Sequence, residues 1–269
     1  MLQRSVTGVI SALLLIVVIL LRGWVLDIAI VLVALLGCYE MQNAFAKADL
    51  YPAKWTMYGA AVLMLPCYRL MGATGIYVLG CAATMIVMLQ IVLRKHPRWM
   101  DAAASLNVLI SVVIPLSMLF PIIRIQPDTL GALLVFAAFV IALVGDTFAY
   151  FVGVTVGSHK MMPELSPKKT WEGSAAGLLG SVVGAVLLCT SGSALVDMPP
   201  VWHFIILGFV GGVAGQLGDL TASLIKRFCG IKDFGTIFPG HGGMMDRVDS
   251  VMFVIYILFG YCMITGLIG

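Results

Sequence analysis

The sequence predicts an all-α fold, a polytopic transmembrane helix bundle of about nine spanning helices with its N-terminus in the cytoplasm. Three observations carry that reading. Apolar residues make up 61% of the 269-residue chain, and mean hydropathy is +1.06. Charged residues are only 11%, where a soluble domain carries about a quarter. The apolar residues also fall in runs that suit helices crossing a bilayer core, which need about 20 residues each, and that are too long for barrel strands.

The runs cover residues 6–21, 24–39, 56–72, 75–93, 104–123, 129–153, 173–190, 203–222 and 249–268. The first two are short, and Arg22-Gly23 is placed to turn the chain between them. A single helix over 6–39 would be about 50 Å long at 1.5 Å per residue, too long for one ordinary crossing. The first run follows Arg4 as a signal peptide would, but no small-x-small cleavage site follows it and another apolar run begins at once, so it is expected to be retained. The loops set the orientation. Arg4, then Lys47 and Lys54, then Arg94, Lys95 and Arg98, then Lys160, Lys168 and Lys169, then Lys226, Arg227, Lys232 and Arg247 fall on one side, thirteen of the sixteen cations. Arg22, Arg69 and Arg124 are left on the other, so the positive-inside bias places the N-terminus in the cytoplasm.

Glycines in the later runs mark tight helix packing. Gly173, Gly177, Gly180 and Gly184 form one small-residue stripe, and Gly208, Gly212, Gly215 and Gly218 another, and such stripes let helix backbones approach closely in lipid. Both run into polar motifs, which they are expected to hold in position. Two regions follow: transmembrane helices over 1–125, and a region over 126–269 that carries the polar motifs. Six cysteines show no C-x-x-C pair, and five lie in apolar runs, so they read as small core residues rather than a disulfide or metal framework. A net charge of +3 makes a nucleic-acid partner unexpected; the partner surface is the bilayer.

Against this background one stretch stands apart. Eight charged residues (Asp219, Lys226, Arg227, Lys232, Asp233, Asp246, Arg247 and Asp249) lie within 31 positions. Ionisable groups beside hydrocarbon are costly, so such an island marks a site. If the helix through Asp219 continues, Asp219, Ser223 and Lys226 share one face. Gly240, Gly242 and Gly243 come immediately before Asp246 and Asp249; a glycine run ahead of a helix start exposes backbone N–H groups to an anion, and His241 can add a donor. Hard cations such as Mg²⁺ take oxygen ligands, one or two carboxylates with water and phosphate. Asp219, Asp246 and Asp249 are the candidate ligands; the alternative for Asp246 and Asp249 is local ion pairing at a helix start, where acids are favoured. Upstream, Gly145-Asp146-Thr147 places an acid in or beside an apolar run, either as a hydrogen-bond hub or as a further ligand. Ser166-Pro-Lys168-Lys169-Thr170-Trp171-Glu172-Gly173 reads as a turn into a capped helix start that presents two lysines to phosphate, or as a basic loop serving topology alone. The combination suits phosphoryl or nucleotidyl transfer, which needs positioning and charge neutralisation more than a strong base.

The run Ser223-Leu-Ile-Lys226-Arg227, Lys232-Asp233-Phe-Gly235 and Pro239-Gly-His-Gly-Gly-Met-Met-Asp246-Arg247-Val-Asp249 resembles, in residues and spacing, the signature of the phosphatidate cytidylyltransferase (CDP-diacylglycerol synthase) family. The motifs around Asp146 and Lys168–Lys169 resemble further family motifs, with Ser158 standing where many members carry Lys. Residues 1–125 match only as generic hydrophobic helices. The resemblance implies transfer of the cytidylyl group of CTP to phosphatidate, giving CDP-diacylglycerol and pyrophosphate for phospholipid synthesis. It also implies a Mg²⁺ requirement with room for a second metal ion, and a homodimer in a bacterial inner membrane; the charge bias puts the active site on the cytoplasmic face. On that reading Asp219, Lys226, Arg227, Asp246 and Arg247 are catalytic. Lys168, Lys169, Ser223, Lys232, Gly240, His241, Gly242 and Gly243 bind substrate, and Asp219, Asp246 and Asp249 hold metal with Asp146 as a further or outer ligand. A CTP-dependent kinase of a polyprenol-like lipid alcohol is the alternative chemistry. An ion-coupled transporter using Asp146 and Asp219 is a remoter one, since the N-terminal half has no counterpart to the island.

Overall fold

A computed structural model describes residues 16–237 and 242–268. Eight long helices make up nearly all of it: α1 (Gly23–Lys47), α2 (Lys54–Met71), α3 (Thr74–Val92), α4 (Trp99–Ile123), α5 (Asp128–Thr155), α6 (Trp171–Gly192), α7 (Val201–Phe228) and α8 (Met245–Ile264). Seven of them, all but α2, are long and apolar enough to span a membrane, and the chain is a multi-pass, all-α membrane protein. Each of the last eight apolar runs lies on one of these helices. The first run lies mostly outside the described residues, so a count of nine is not reached.

The turn expected at Arg22-Gly23 is present. Residues 16–21 are helical, and the chain then breaks at Arg22 (φ 51°) and Gly23 (φ 54°) before α1 begins. α1 outlasts its apolar run by two turns and ends on Lys47, where a cation suits the negative end of the helix dipole. α2 holds Pro66 inside it, and its charged Lys54 and Arg69 keep it below the hydropathy of the spans. α4 is the most enclosed span, with 78% of its apolar window buried, and carries a π-helical turn over Leu109–Val113. A short antiparallel hairpin, β1 (Lys160–Met162) and β2 (Ser166–Thr170), joins α5 to α6 where the sequence suggested only a turn. The capped helix start is there: the Thr170 hydroxyl accepts from the Gly173 N–H at 3.1 Å, satisfying one of the orphan donors of α6.

The chain divides into two units. Residues 1–121 and 225–248 form the first, and 122–224 with 249–269 the second. In the first, buried acids on the helices each have a partner, as charge in an apolar interior requires. Asp27 pairs with Arg69 at 2.6 Å, and Arg69 also lies over the Trp24 ring. Asp101 pairs with Arg94 at 2.9 Å and accepts from the Tyr51 N–H. Glycines let the second unit's helices touch. A Cβ at Gly177 would fall 3.1 Å from the Gly145 carbonyl of α5, and one at Gly208 would fall 2.6 Å from Cα of Val182 on α6. One at Gly218 would fall 2.6 Å from the Asp249 carbonyl of α8. The stripe on α6 thus seats α5 on one side and α7 on the other, while Gly211, Gly215 and Gly218 turn a second face of α7 to neighbours that include α8.

Candidate active site

Each unit carries its own charged cluster. In the second unit the cluster begins at Gly218, where α7 and α8 are in backbone contact. Asp219, the next residue, pairs with Lys169 of β2 at 2.5 Å. Alternation along a strand sends successive side chains to opposite faces, so Lys169 is half-buried while Lys168 is exposed. Asp146 of α5 lies close enough to Asp219 and Lys169 to feel both charges. Its Oδ2 also accepts from the Ser250 hydroxyl at 3.2 Å, and the Ser250 N–H donates to Asp249 Oδ1 at 2.8 Å. Ser250 therefore ties Asp146 to Asp249 across two helices. Three residues before Asp219, Gln216 exchanges two hydrogen bonds with Ser174 at the start of α6, at 2.5 and 2.9 Å, and pins α7 beside the hairpin that brings Lys169. His159 and Glu172 close the open end of that hairpin, next to the Lys160–Thr170 pair, with Nδ1 and Oε1 2.6 Å apart.

In the first unit the cluster is built on Asp246, on the first turn of α8. Its Oδ1 accepts from Lys226 Nζ at 2.8 Å, and its Oδ2 accepts from the N–H groups of Phe234 (2.7 Å) and Gly243 (3.0 Å). Both side chains are largely buried, Asp246 at 5% exposure and Lys226 at 14%. Lys226 lies 5.2 Å from the centre of the Phe234 ring. One carboxylate thus ties Phe234 and Gly243 to the first turn of the helix that follows them. Gly242 has φ 83°, a left-handed conformation that costs a residue with a Cβ, and that Cβ would also fall 2.8 Å from Asp246 Oδ2.

A second acid completes this corner. Glu40 on α1, 1% exposed, accepts from the backbone N–H groups of Met244 and Met245, both at 2.8 Å. It caps α8 from a position 204 residues away. Side chains at Gly235 or Gly243 would run into the Glu40 carboxylate. Glu40, Ser250, Gln216 and Ser174 escaped the sequence reading. For Ser250 the signal was its place beside Asp249; for Glu40 it was an acid inside a span, a cost that demands a partner.

Of the other expected site residues, Ser223 is half-buried on α7, and Arg227, Lys232 and Arg247 are exposed. Gly240 and His241 lie outside the described residues. As a seat for Mg²⁺, the carboxylates of Asp146, Asp219 and Asp249 have suitable chemistry: hard oxygen donors, one of them already held by a lysine ammonium. Among the described residues no three Asp, Glu, His or Cys side chains are gathered as a ready cage, so water and substrate oxygens would complete such a site. Asp246 is differently placed, with its oxygens already taking three N–H donors.

Comparison with known sequences places these clusters. A sequence model of the cytidylyltransferase family matches residues 2–265. A protein of Bacillus subtilis named phosphatidate cytidylyltransferase is 34% identical over 264 residues, 96% of this chain and 96% of that one. One of the same name from Staphylococcus haemolyticus is 32% identical over 259 residues, 95% of this chain and 96% of that one. A third, from Mycobacterium tuberculosis, is 38% identical over 148 residues, 55% of this chain and 44% of that one. The matched span runs through both charged clusters, the glycine loop and the helix that brings Glu40, and the chain belongs to the cytidylyltransferase family.

Proposed function

We propose that this protein transfers the cytidylyl group of CTP to phosphatidate, giving CDP-diacylglycerol and pyrophosphate. The observation that carries the reading is similarity over almost the whole chain to proteins named for that reaction. The charged clusters support it, because they offer carboxylates, cations and backbone N–H groups and need no strong base. A phosphatidate oxygen, already ionised at neutral pH, attacks the α-phosphorus of CTP. The bond from that phosphorus to the α,β-bridging oxygen breaks, and the electron pair leaves with pyrophosphate.

Within this reading each cluster has a task. Asp219 and Asp249, with Asp146 behind them, would hold Mg²⁺, which when bound neutralises charge on the triphosphate. Lys169 is positioned by Asp219, and Lys168 on the opposite strand face is exposed for a phosphate. Asp246 and Lys226 fix the 229–244 loop, and Gly242 and Gly243 let it approach an anion. Arg227, Lys232 and Arg247 are the exposed cations for substrate phosphates, and Ser223, Gly240 and His241 belong to the same substrate-binding segment. The setting proposed is a bacterial inner membrane, with the site opening to the cytoplasm where CTP is found, and the protein a homodimer.

The test is a reaction of purified protein with labelled CTP, phosphatidate and Mg²⁺. CDP-diacylglycerol and pyrophosphate in equal amounts are expected, and chelation of Mg²⁺ should abolish both. Release of CDP in place of pyrophosphate would show a lipid kinase and overturn the reading.

A further inference from the structure

The first unit holds a cavity of about 560 Å³ that the reaction above does not use. Its walls are the last turns of α1 and α3, the 48–53 connection and the first turn of α2. Two cations line it, Lys54 and Arg94, with three carboxamides, Gln42, Asn43 and Gln90. No carboxylate is among the described residues that line it. Asp101, behind Arg94, offsets one positive charge and holds the guanidinium in place, where it also donates to the Tyr51 carbonyl at 2.6 Å. Lys54 is paired with no acid among the described residues and lies 5.1 Å from the Trp55 ring centre.

The first turn of α2, which supplies Lys54 and Trp55 to the lining, carries no acidic residue, so no carboxylate there offsets the Lys54 charge or the positive end of the helix dipole. The rim is aromatic: Trp55 is 73% exposed and Tyr51 55%. Tyr51 lies just past the end of the α1 span and Trp55 on the first turn of α2, and aromatic rings beside the end of a span lie at headgroup level.

We infer that this cavity is a second phosphate-binding site, separate from the proposed reaction and seating the phosphate of an anionic lipid headgroup. Lys54 and Arg94 hold the charge, and Trp55 and Tyr51 meet the glycerol and acyl region.

Native mass spectrometry of the full-length protein in detergent reads this without reading activity. The protein is titrated with phosphatidylglycerol, with phosphatidylcholine as the zwitterionic comparison, and then with inorganic phosphate as competitor. Preferential retention of phosphatidylglycerol is expected. Lys54→Ala should weaken it about fivefold, the effect of one cation near a charged lipid surface. Lys95→Ala removes the same charge beside Arg94 but outside the cavity lining, and should leave retention unchanged. Equal retention in wild type, Lys54→Ala and Lys54→Glu would overturn the site, as would an equal loss in Lys95→Ala. Displacement by millimolar inorganic phosphate would overturn the lipid as its occupant and leave a soluble phosphate in its place. A melting temperature matching wild type confirms that each variant is folded.

Discussion

Asp246 shows how much one side chain can organise. Its two oxygens take a lysine and two backbone N–H groups, so the loop before α8 is folded around a single carboxylate. Asp246→Asn keeps the size but can no longer accept at both oxygens, and its NH₂ must face a donor. The loop then shifts, and turnover should fall at least about 100-fold, the scale of a misplacement of about 1 Å at a reacting centre; steady-state kinetics on folded protein check it. Lys226→Met leaves Asp246 buried without its cation. Removing one partner of a buried pair costs about 3 kcal/mol, which a lowered unfolding midpoint would register. Glu40 makes a different prediction because it touches only backbone. Glu40→Ala strands the N–H groups of Met244 and Met245 and should cost roughly 1–3 kcal/mol, with reduced kcat. Glu40→Gln, which keeps one acceptor, should recover part of both.

At the scale of the elements, glycine spacing decides which helices can meet. Gly218 permits α7 to lie against the Asp249 carbonyl, and its neighbour is Asp219. Gly218→Val should therefore push α8 off α7, destabilise by about 1–3 kcal/mol through overpacking, and lower activity by moving Asp249. Thermal unfolding and turnover should fall together. The stripes could be read from the sequence because small residues three and four apart lie on one helix face whatever surrounds them. The hairpin before α6 could not be read this way. Its strands are three and five residues long, with Pro163 just past the first and Pro167 inside the second, too short for an alternating pattern to stand out. What it accomplishes is nonetheless specific: it separates Lys168 from Lys169 by strand alternation and delivers only the second to Asp219.

For the whole molecule, orientation rests on charge. Thirteen cations lie in the connections and helix ends assigned to one side of the membrane. In a cysteine-free background, Lys95→Cys and Lys232→Cys should react with a membrane-impermeant thiol reagent only after the membrane is opened. Asp197→Cys, in the connection between α6 and α7, should react in intact cells. The opposite pattern would invert the topology and place the charged clusters outside. The chain also crosses between its two units near residues 121, 224 and 248. The motif from Asp219 to Asp249, continuous in sequence, is therefore shared out: Asp219, Ser223 and Asp249 fold with one unit, and Lys226 to Asp246 with the other.

The sequence by itself determined that this is a helical membrane protein, where its long helices after residue 22 lie and which residues carry charge. All of these are local properties: hydropathy accumulates along a run, and charge beside hydrocarbon is conspicuous wherever it folds. It also carried the family signature, because that spacing is written in consecutive residues. Only the tertiary structure decided what each charge does. Lys169 answers Asp219, Lys226 answers Asp246, Ser250 joins Asp146 to Asp249, and Glu40 caps a helix 204 positions away. A carboxylate can satisfy any N–H that comes within about 3 Å, so composition and spacing leave its partner open until the helices pack and choose one.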